Sequence, residues 1–228
     1  MSRPIKVWSL LYYLAEVEGL TWRGVDYTTN KMIKAMKGKP IKGYLNLKVG
    51  GQNKTFNQQN VTELVAVMRQ EVARKLKSSV ADKFCIVPIP NSSAVSSSDD
   101  EFRTYADAKA IAAGLGESAC AVSSLRWKTA LKPAHEGGSR DPSFLFDNLV
   151  VMEKPKGPVV LYDDVQTTGS HMVACYRKLE EIGFPPILGI VVGRAIKEQR
   201  DPAIGWHDED VETEEVAFDW DAFFKTEI

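Results

Sequence analysis

From residue 84 on, apolar residues fall into four short runs, at 84–89, 120–125, 159–162 and 187–192. Between them lie segments with helical spacing. Tyr105, Ala108, Ile111, Ala112 and Leu115 recur at intervals of three and four, opened by Asp99-Asp100 and stopped near Gly116. The stretch 168–182 repeats that spacing and stops at Gly183 before Pro185-Pro186, a combination that ends helices. Apolar runs without alternation are strands buried on both faces, and strands separated by helices predict a parallel sheet covered on both sides. The expected fold class is α/β, a doubly wound and mainly parallel sheet of about four or five strands.

The first 78 residues follow another pattern. Val7, Leu10, Leu11, Leu14 and Val17 fit one face of a short amphipathic helix. Residues 44–49 alternate apolar and polar, and Gly50-Gly51 then leads to Lys54-Thr55-Phe56, a hairpin signal. Val61, Leu64, Val65, Met68, Val72 and Leu76 predict a second helix, with Asn60 and Glu63 as a capping pair. This divides the chain into a small α+β region at 1–78, a core at 79–200 and a segment at 201–228. The last is acidic yet holds Trp206, Phe218, Trp220, Phe223 and Phe224. So many aromatics predict packing on the core.

Composition narrows the class. A net charge of −1 gives no global basic field for nucleic acid. Cys85, Cys120 and Cys175 lack metal-ligand spacing and suit buried thiols in a reducing compartment. No apolar stretch reaches the roughly 18 residues of a membrane span, and no leader pattern opens the chain. The expectation is a cytoplasmic protein without a membrane partner.

Residues 159–170 carry the chemistry. A buried strand ends in Asp163 and Asp164, at the edge where open α/β sheets place ligands. Gln166, Thr167, Thr168, Gly169 and Ser170 then turn into a helix. Small residues let backbone amides approach an anion, hydroxyls add donors, and the helix N-terminus adds positive potential. Paired carboxylates accept hydrogen bonds from vicinal hydroxyls and can help hold Mg²⁺. A ribose 5-phosphate has both features.

This string resembles the 5-phosphoribosyl-1-pyrophosphate-binding motif of type I phosphoribosyltransferases: hydrophobics, two acids, a hydrophobic, a variable residue, Thr-Thr-Gly. The resemblance implies that Asp163 and Asp164 contact the ribose hydroxyls and Mg²⁺, and that Gln166 to Ser170 wrap the 5-phosphate. It makes 1–78 the family's hood and implies a second substrate, an acceptor the sequence does not identify. Many relatives pair, which raises a homodimer. In this family the first core strand leads to a pyrophosphate loop, here Pro90, Asn91 and Ser92 after Val87-Pro88-Ile89, a string similar to the competence-associated branch.

The stretch 126–140 sits where the family has a mobile catalytic loop. Lys128, Lys132, His135 and Arg140 are its candidates for stabilising the leaving pyrophosphate. Lys132, His135 and Gly137-Gly138 are similar to the loop of orotate phosphoribosyltransferases, while Arg126, Thr129, Arg140 and Asn148-Leu149 are similar to the competence-associated branch. Thr167 stands where enzymes acting on 6-oxopurines place an acid, which disfavours those bases. The implied activity is phosphoribosyl transfer to a nitrogen nucleophile. The alternative is a non-catalytic sensor of the same fold that binds the same donor or a nucleotide. His171 is expected on a helix surface or in packing, His207 beside an acid, and Tyr162 in the core.

Overall fold

The computed structural model describes residues 4–15, 19–80, 83–132, 138–139 and 141–213. In chain order the elements are β1 (Ile5–Leu14), α1 (Gly24–Met36), the hairpin β2 (Tyr44–Val49) and β3 (Gln52–Asn57), and α2 (Val61–Ser79). They continue with β4 (Phe84–Pro88), α3 (Arg103–Leu115), β5 (Ala119–Ala121), β6 (Leu125–Trp127), α4 (Pro142–Asp147) and β7 (Leu149–Val151). Last come β8 (Val159–Gln166), α5 (Ser170–Glu181), β9 (Leu188–Ile196) and β10 (Ile204–Val211).

A six-stranded sheet of order β10-β1-β9-β8-β4-β5 forms the centre. All its pairings are parallel except β1 with β10, which closes one edge antiparallel. One face packs against α1, α2, α3 and the hairpin, through Ile33, Phe56, Leu64, Met68, Ile111 and their neighbours. The other packs against α4, α5 and the β6–β7 ribbon, through Leu125, Trp127, Leu145, Cys175 and Leu179. Helices on both faces of a mainly parallel sheet make this a doubly wound α/β fold. In β8 the residues from Val159 to Tyr162 are buried, which is why that run shows no alternation.

Several expectations are corrected. Residues 7–14 are strand, not helix. Ile5 and Val7 bury into one core cluster while Leu10 and Leu11 bury into the other. A strand covered on both faces has no period of two, and its apolar positions fell by chance at helical spacing. The strand lies between β9 and β10, so the region 1–78 supplies one strand to the central sheet as well as the outer layer. Asn60 and Glu63 do not cap α2 reciprocally. The Asn60 side chain instead accepts from the Asn57 amide at 2.7 Å and donates to the Thr55 carbonyl at 3.1 Å. Glu63 pairs with Lys54.

Asp99 and Asp100 precede α3 without opening it, since the helix begins at Arg103. The elements α1, α4, β7 and β10 had no clear sequence signal. Trp206 lies on β10 and packs against the core, while Phe218, Trp220, Phe223 and Phe224 lie outside the described residues. No acid pairs with His207 among the described residues. Its ring stacks on Tyr12 at 3.8 Å, and burial lowers its pKa. Gly193 lies close beneath α1, where an added Cβ would displace the end of the Ile33 side chain. No helix among the described residues is long and apolar enough to cross a membrane.

Candidate functional site

Parallel registry aligns the C-terminal ends of β4 and β8. Pro88 pairs with Tyr162, and the Ile89 amide donates to the Tyr162 carbonyl at 2.8 Å. The loop 89–92 that leaves β4 therefore opens beside the last residues of β8 and the turn that follows them, 163–169. Between them lies a cleft of about 380 Å³. Its lining includes Pro90, Asn91, Ser92, Lys132, Asp163, Asp164 and Thr167, all singled out from the sequence, and also Lys37, Lys39, Arg103 and His171.

Successive residues of a strand face opposite sides, so the two carboxylates have different surroundings. Asp164 is buried and forms an ion pair with Arg103, the first residue of α3. Arg103 also donates to the Met36 carbonyl at the end of α1, at 3.1 Å. Asp163 is partly exposed at the cleft, and its Oδ1 accepts from the Asp164 amide at 2.8 Å. Desolvation, reinforced by the neighbouring Asp164, holds the Asp163 carboxyl well above the usual carboxylate range. Tyr13 stands near both acids, and burial together with their charge pushes its phenol up to about 12.

The turn after β8 ends at Gly169, which caps α5 with φ +86°. A Cβ there would lie 3.0 Å from Gln166 Nε2 and 3.5 Å from Val211 Cγ1, so the turn is packed tightly on its own strand and on the end of β10. Thr168 and Ser170 share a hydroxyl hydrogen bond of 2.9 Å. The amides of the first turn of α5 have no partner within the helix, as at any helix start, and their dipoles favour an anion. Gln166 is buried, and neither its amide nitrogen nor its oxygen has a hydrogen-bond partner among the described residues. A buried polar group of that kind is where a ligand or water belongs.

The loop after β4 is held from below. Trp127 is fully buried, and its Nε1 donates to the carbonyls of Pro90 and Asn91, both at 3.1 Å. Thr104 donates to the Ile89 carbonyl at 2.6 Å. The Leu131 amide donates to the Ser92 carbonyl at 2.9 Å, which ties the stretch carrying Lys132 to this loop. His171 sits edge-on to Trp127 at 5.6 Å, and desolvation lowers its pKa.

The remaining loop candidates divide. Lys128 is exposed and donates to the Asp147 carbonyl, outside the cleft lining. His135 and Arg140 lie outside the described residues. Arg126 is buried and donates to the carbonyls of Ser98 and Asp100 at 2.6 and 2.9 Å, which makes it a strut of the 91–100 loop. Asn148 and Thr129 bond each other: Asn148 Oδ1 accepts from the Thr129 amide at 3.2 Å, and its Nδ2 donates to the Thr129 carbonyl at 3.1 Å.

Sequence reasoning missed Lys37, Lys39 and Arg103. Lys37 and Lys39 flank a glycine turn after an unanticipated helix, and nothing in the sequence marks them. Arg103 left one signal. A cation in the first turn of a helix meets the positive end of the dipole, so it needs a carboxylate partner from elsewhere.

Two neighbouring carboxylates offer hard oxygen donors of the kind Mg²⁺ takes. Among the described residues no cluster of three or more His, Cys, Asp or Glu side chains gathers to hold a metal. The site fits an ion that keeps water and ligand oxygens as most of its shell, with Asp163 the accessible donor.

No protein-family model matches the chain, and no curated protein matches it. Solved structures with a similar backbone include an adenine phosphoribosyltransferase from Giardia lamblia complexed with 9-deazaadenine, at 13% identity and TM-score 0.41, covering 79% of this chain and 100% of that one. Another adenine phosphoribosyltransferase stands at 14% and 0.40, covering 74% and 89%. A purine phosphoribosyltransferase from Pyrococcus horikoshii stands at 16% and 0.34, covering 62% and 93%.

Proposed function

We propose that this chain is a phosphoribosyltransferase that binds 5-phosphoribosyl-1-pyrophosphate with Mg²⁺ and transfers the phosphoribosyl group to a nitrogen nucleophile. One observation carries the reading: Asp163 and Asp164, at the end of a buried parallel strand, share a cleft with the 90–92 loop, Lys132 and the hydroxyl-rich turn at Thr167. In this reading the acids take the ribose hydroxyls and the turn takes the 5-phosphate. Pro90, Asn91, Ser92 and Lys132 face the pyrophosphate, and the region that contributes Lys37 and Lys39 acts as the hood over the acceptor.

The acceptor nitrogen forms a bond to C1 of the ribose with inversion, while the bond from C1 to the pyrophosphate oxygen breaks. The residues align donor and acceptor, and Lys132 and Arg103 offset charge on the leaving group. Bound Mg²⁺ would neutralise part of the pyrophosphate charge, with Asp163 as its accessible protein ligand.

A second reading, binding without transfer, is favoured by one observation: Lys128 is engaged by the Asp147 carbonyl and lies outside the cleft lining. Calorimetric titration of the donor with and without Mg²⁺ tests the shared premise, and absence of binding in both conditions removes both readings. A screen of nucleobases and simple amines for pyrophosphate release then separates them. Release with an acceptor supports the transferase, and tight binding without release supports the sensor.

A further inference from the structure

We propose that Arg194, on β9, is a positioning residue that sets the phosphate-binding turn, with Glu209 of β10 as its anchor; this rests on the phosphosugar reading above. Arg194 is level with Gln166 in the β8–β9 register, at the root of the turn. Its Nη1 donates to the Thr167 carbonyl at 2.6 Å, and its Nε pairs with Glu209 at 3.0 Å. One guanidinium thus ties the turn to the edge strand of the sheet. Val211, two residues beyond Glu209, stands beside Gly169 of the same turn, 3.5 Å from where a Cβ would lie.

The consequence follows from peptide geometry. The peptide between Thr167 and Thr168 is planar and trans, so its carbonyl and its N–H point in opposite directions. With the carbonyl drawn toward Arg194, the Thr168 N–H is turned away from β9. Without that bond the peptide is free to rotate and present its oxygen, which would repel a phosphate. A planar fork is suited to this work because one donor can hold a carbonyl while another holds a carboxylate. Glu209 fixes the fork from its far side and offsets its charge. Arg194 is absent from the cleft lining, so its effect on the ligand runs through the turn.

The test uses the full chain with Arg194→Met, Arg194→Lys and Glu209→Gln. The readouts are ¹⁵N order parameters of the Thr168 and Gly169 amides without ligand, and calorimetric affinities for ribose 5-phosphate and for pyrophosphate. In Arg194→Met the order parameters should fall from about 0.85 to below about 0.6. Affinity for ribose 5-phosphate should weaken about tenfold or more, as befits loss of an aligned charge-assisted bond. Pyrophosphate, seated at the 90–92 loop, should bind within twofold of the original.

Arg194→Lys should recover part of the loss, since an ammonium can serve Thr167 or Glu209 but lacks the fork. Glu209→Gln keeps Arg194 and should loosen the turn less, which preserves the test if the methionine variant does not fold. A rigid turn with unchanged affinity in Arg194→Met overturns the proposal, as does an equal loss for both ligands. If the unaltered protein binds no ribose 5-phosphate, the phosphosugar reading fails. The order parameters then decide the pinning of the turn by themselves.

Discussion

Arg103 and Asp164 stand 61 residues apart in the chain and form an ion pair in the lining of the cleft. Asp164 is buried, Arg103 is part-buried, and the same guanidinium also holds the carbonyl of Met36. The pair therefore joins the end of β8 to the start of α3 and the end of α1. In the proposed function it leaves Asp163 as the carboxylate free for ligand, with Arg103 poised at the cleft.

Replacing Arg103 by Met should strand Asp164 without its partner. Removing one member of a buried pair costs more than the pair contributes, because the remaining charge keeps its desolvation. With Arg103 partly solvated, a loss of about 2 kcal/mol is expected. Chemical denaturation should show a lower midpoint at an unchanged slope, and calorimetry should show weaker pyrophosphate binding.

Asp163→Asn should stabilise the fold and abolish the function. The Asn side-chain carbonyl can still accept from the Asp164 amide, while the charge that desolvation disfavours is gone. A gain of about 1 kcal/mol at neutral pH is expected, as for other removals of strained functional groups. Ribose 5-phosphate and Mg²⁺ affinities should fall together. A mutant that loses stability and retains both ligands would contradict the assignment.

The same residue sets a pH dependence. Its pKa in the folded state lies above the unfolded value, so the folded protein holds the proton more tightly. Its contribution to stability is largest below the unfolded carboxylate value of about 3.9 and is lost as pH rises through the raised folded value. Other carboxylates tilt the curve as well. The informative quantity is the difference between the original protein and Asp163→Asn, which should widen with rising pH across that window and then stay constant.

Gly169→Ala should cost about 1–2 kcal/mol because φ is +86° there, a region L side chains rarely adopt. The added methyl also meets Gln166 and crowds the turn. Thermal unfolding should show the loss. Ribose 5-phosphate affinity should fall while pyrophosphate affinity is retained.

Tyr162→Phe should be neutral or stabilising by up to about 1 kcal/mol. The Tyr162 hydroxyl is buried without a hydrogen-bond partner among the described residues, near Asp107, whose own Oδ2 is likewise unpartnered. Removing a hydroxyl that makes no bond removes a desolvation cost. A loss above about 1 kcal/mol would mean the hydroxyl bonds to ordered water.

Much of the site is local, and local features are legible. The acids at 163–164 and the turn at 166–170 occupy one continuous stretch, so strand end, glycine, hydroxyls and helix start appear in the sequence in the order they act. The strands β4, β8 and β9 were equally visible, because burial on both faces makes each a continuous apolar run. What could not be read lies in pairings between distant segments. Burial on both faces also removed the alternation that would have marked β1 as a strand, and its place between β9 and β10 depends on partners almost 200 residues away.

The same holds for single residues. Trp127 lies in a stretch without periodicity and became the support of the 90–92 loop only when β6 paired with β7. Lys37 and Lys39 reached the cleft because α1 packs beside β1. Arg103 found Asp164 through the packing of α3 on the sheet, and Arg194 joined Thr167 to Glu209 through the placement of β9 and β10 in it. Backbone preference and hydrophobic pattern act over a few residues and are written along the chain. Ion pairs, cavity walls and the orientation of a peptide depend on which surfaces the burial of apolar area brings together, and those appear only in the packed molecule.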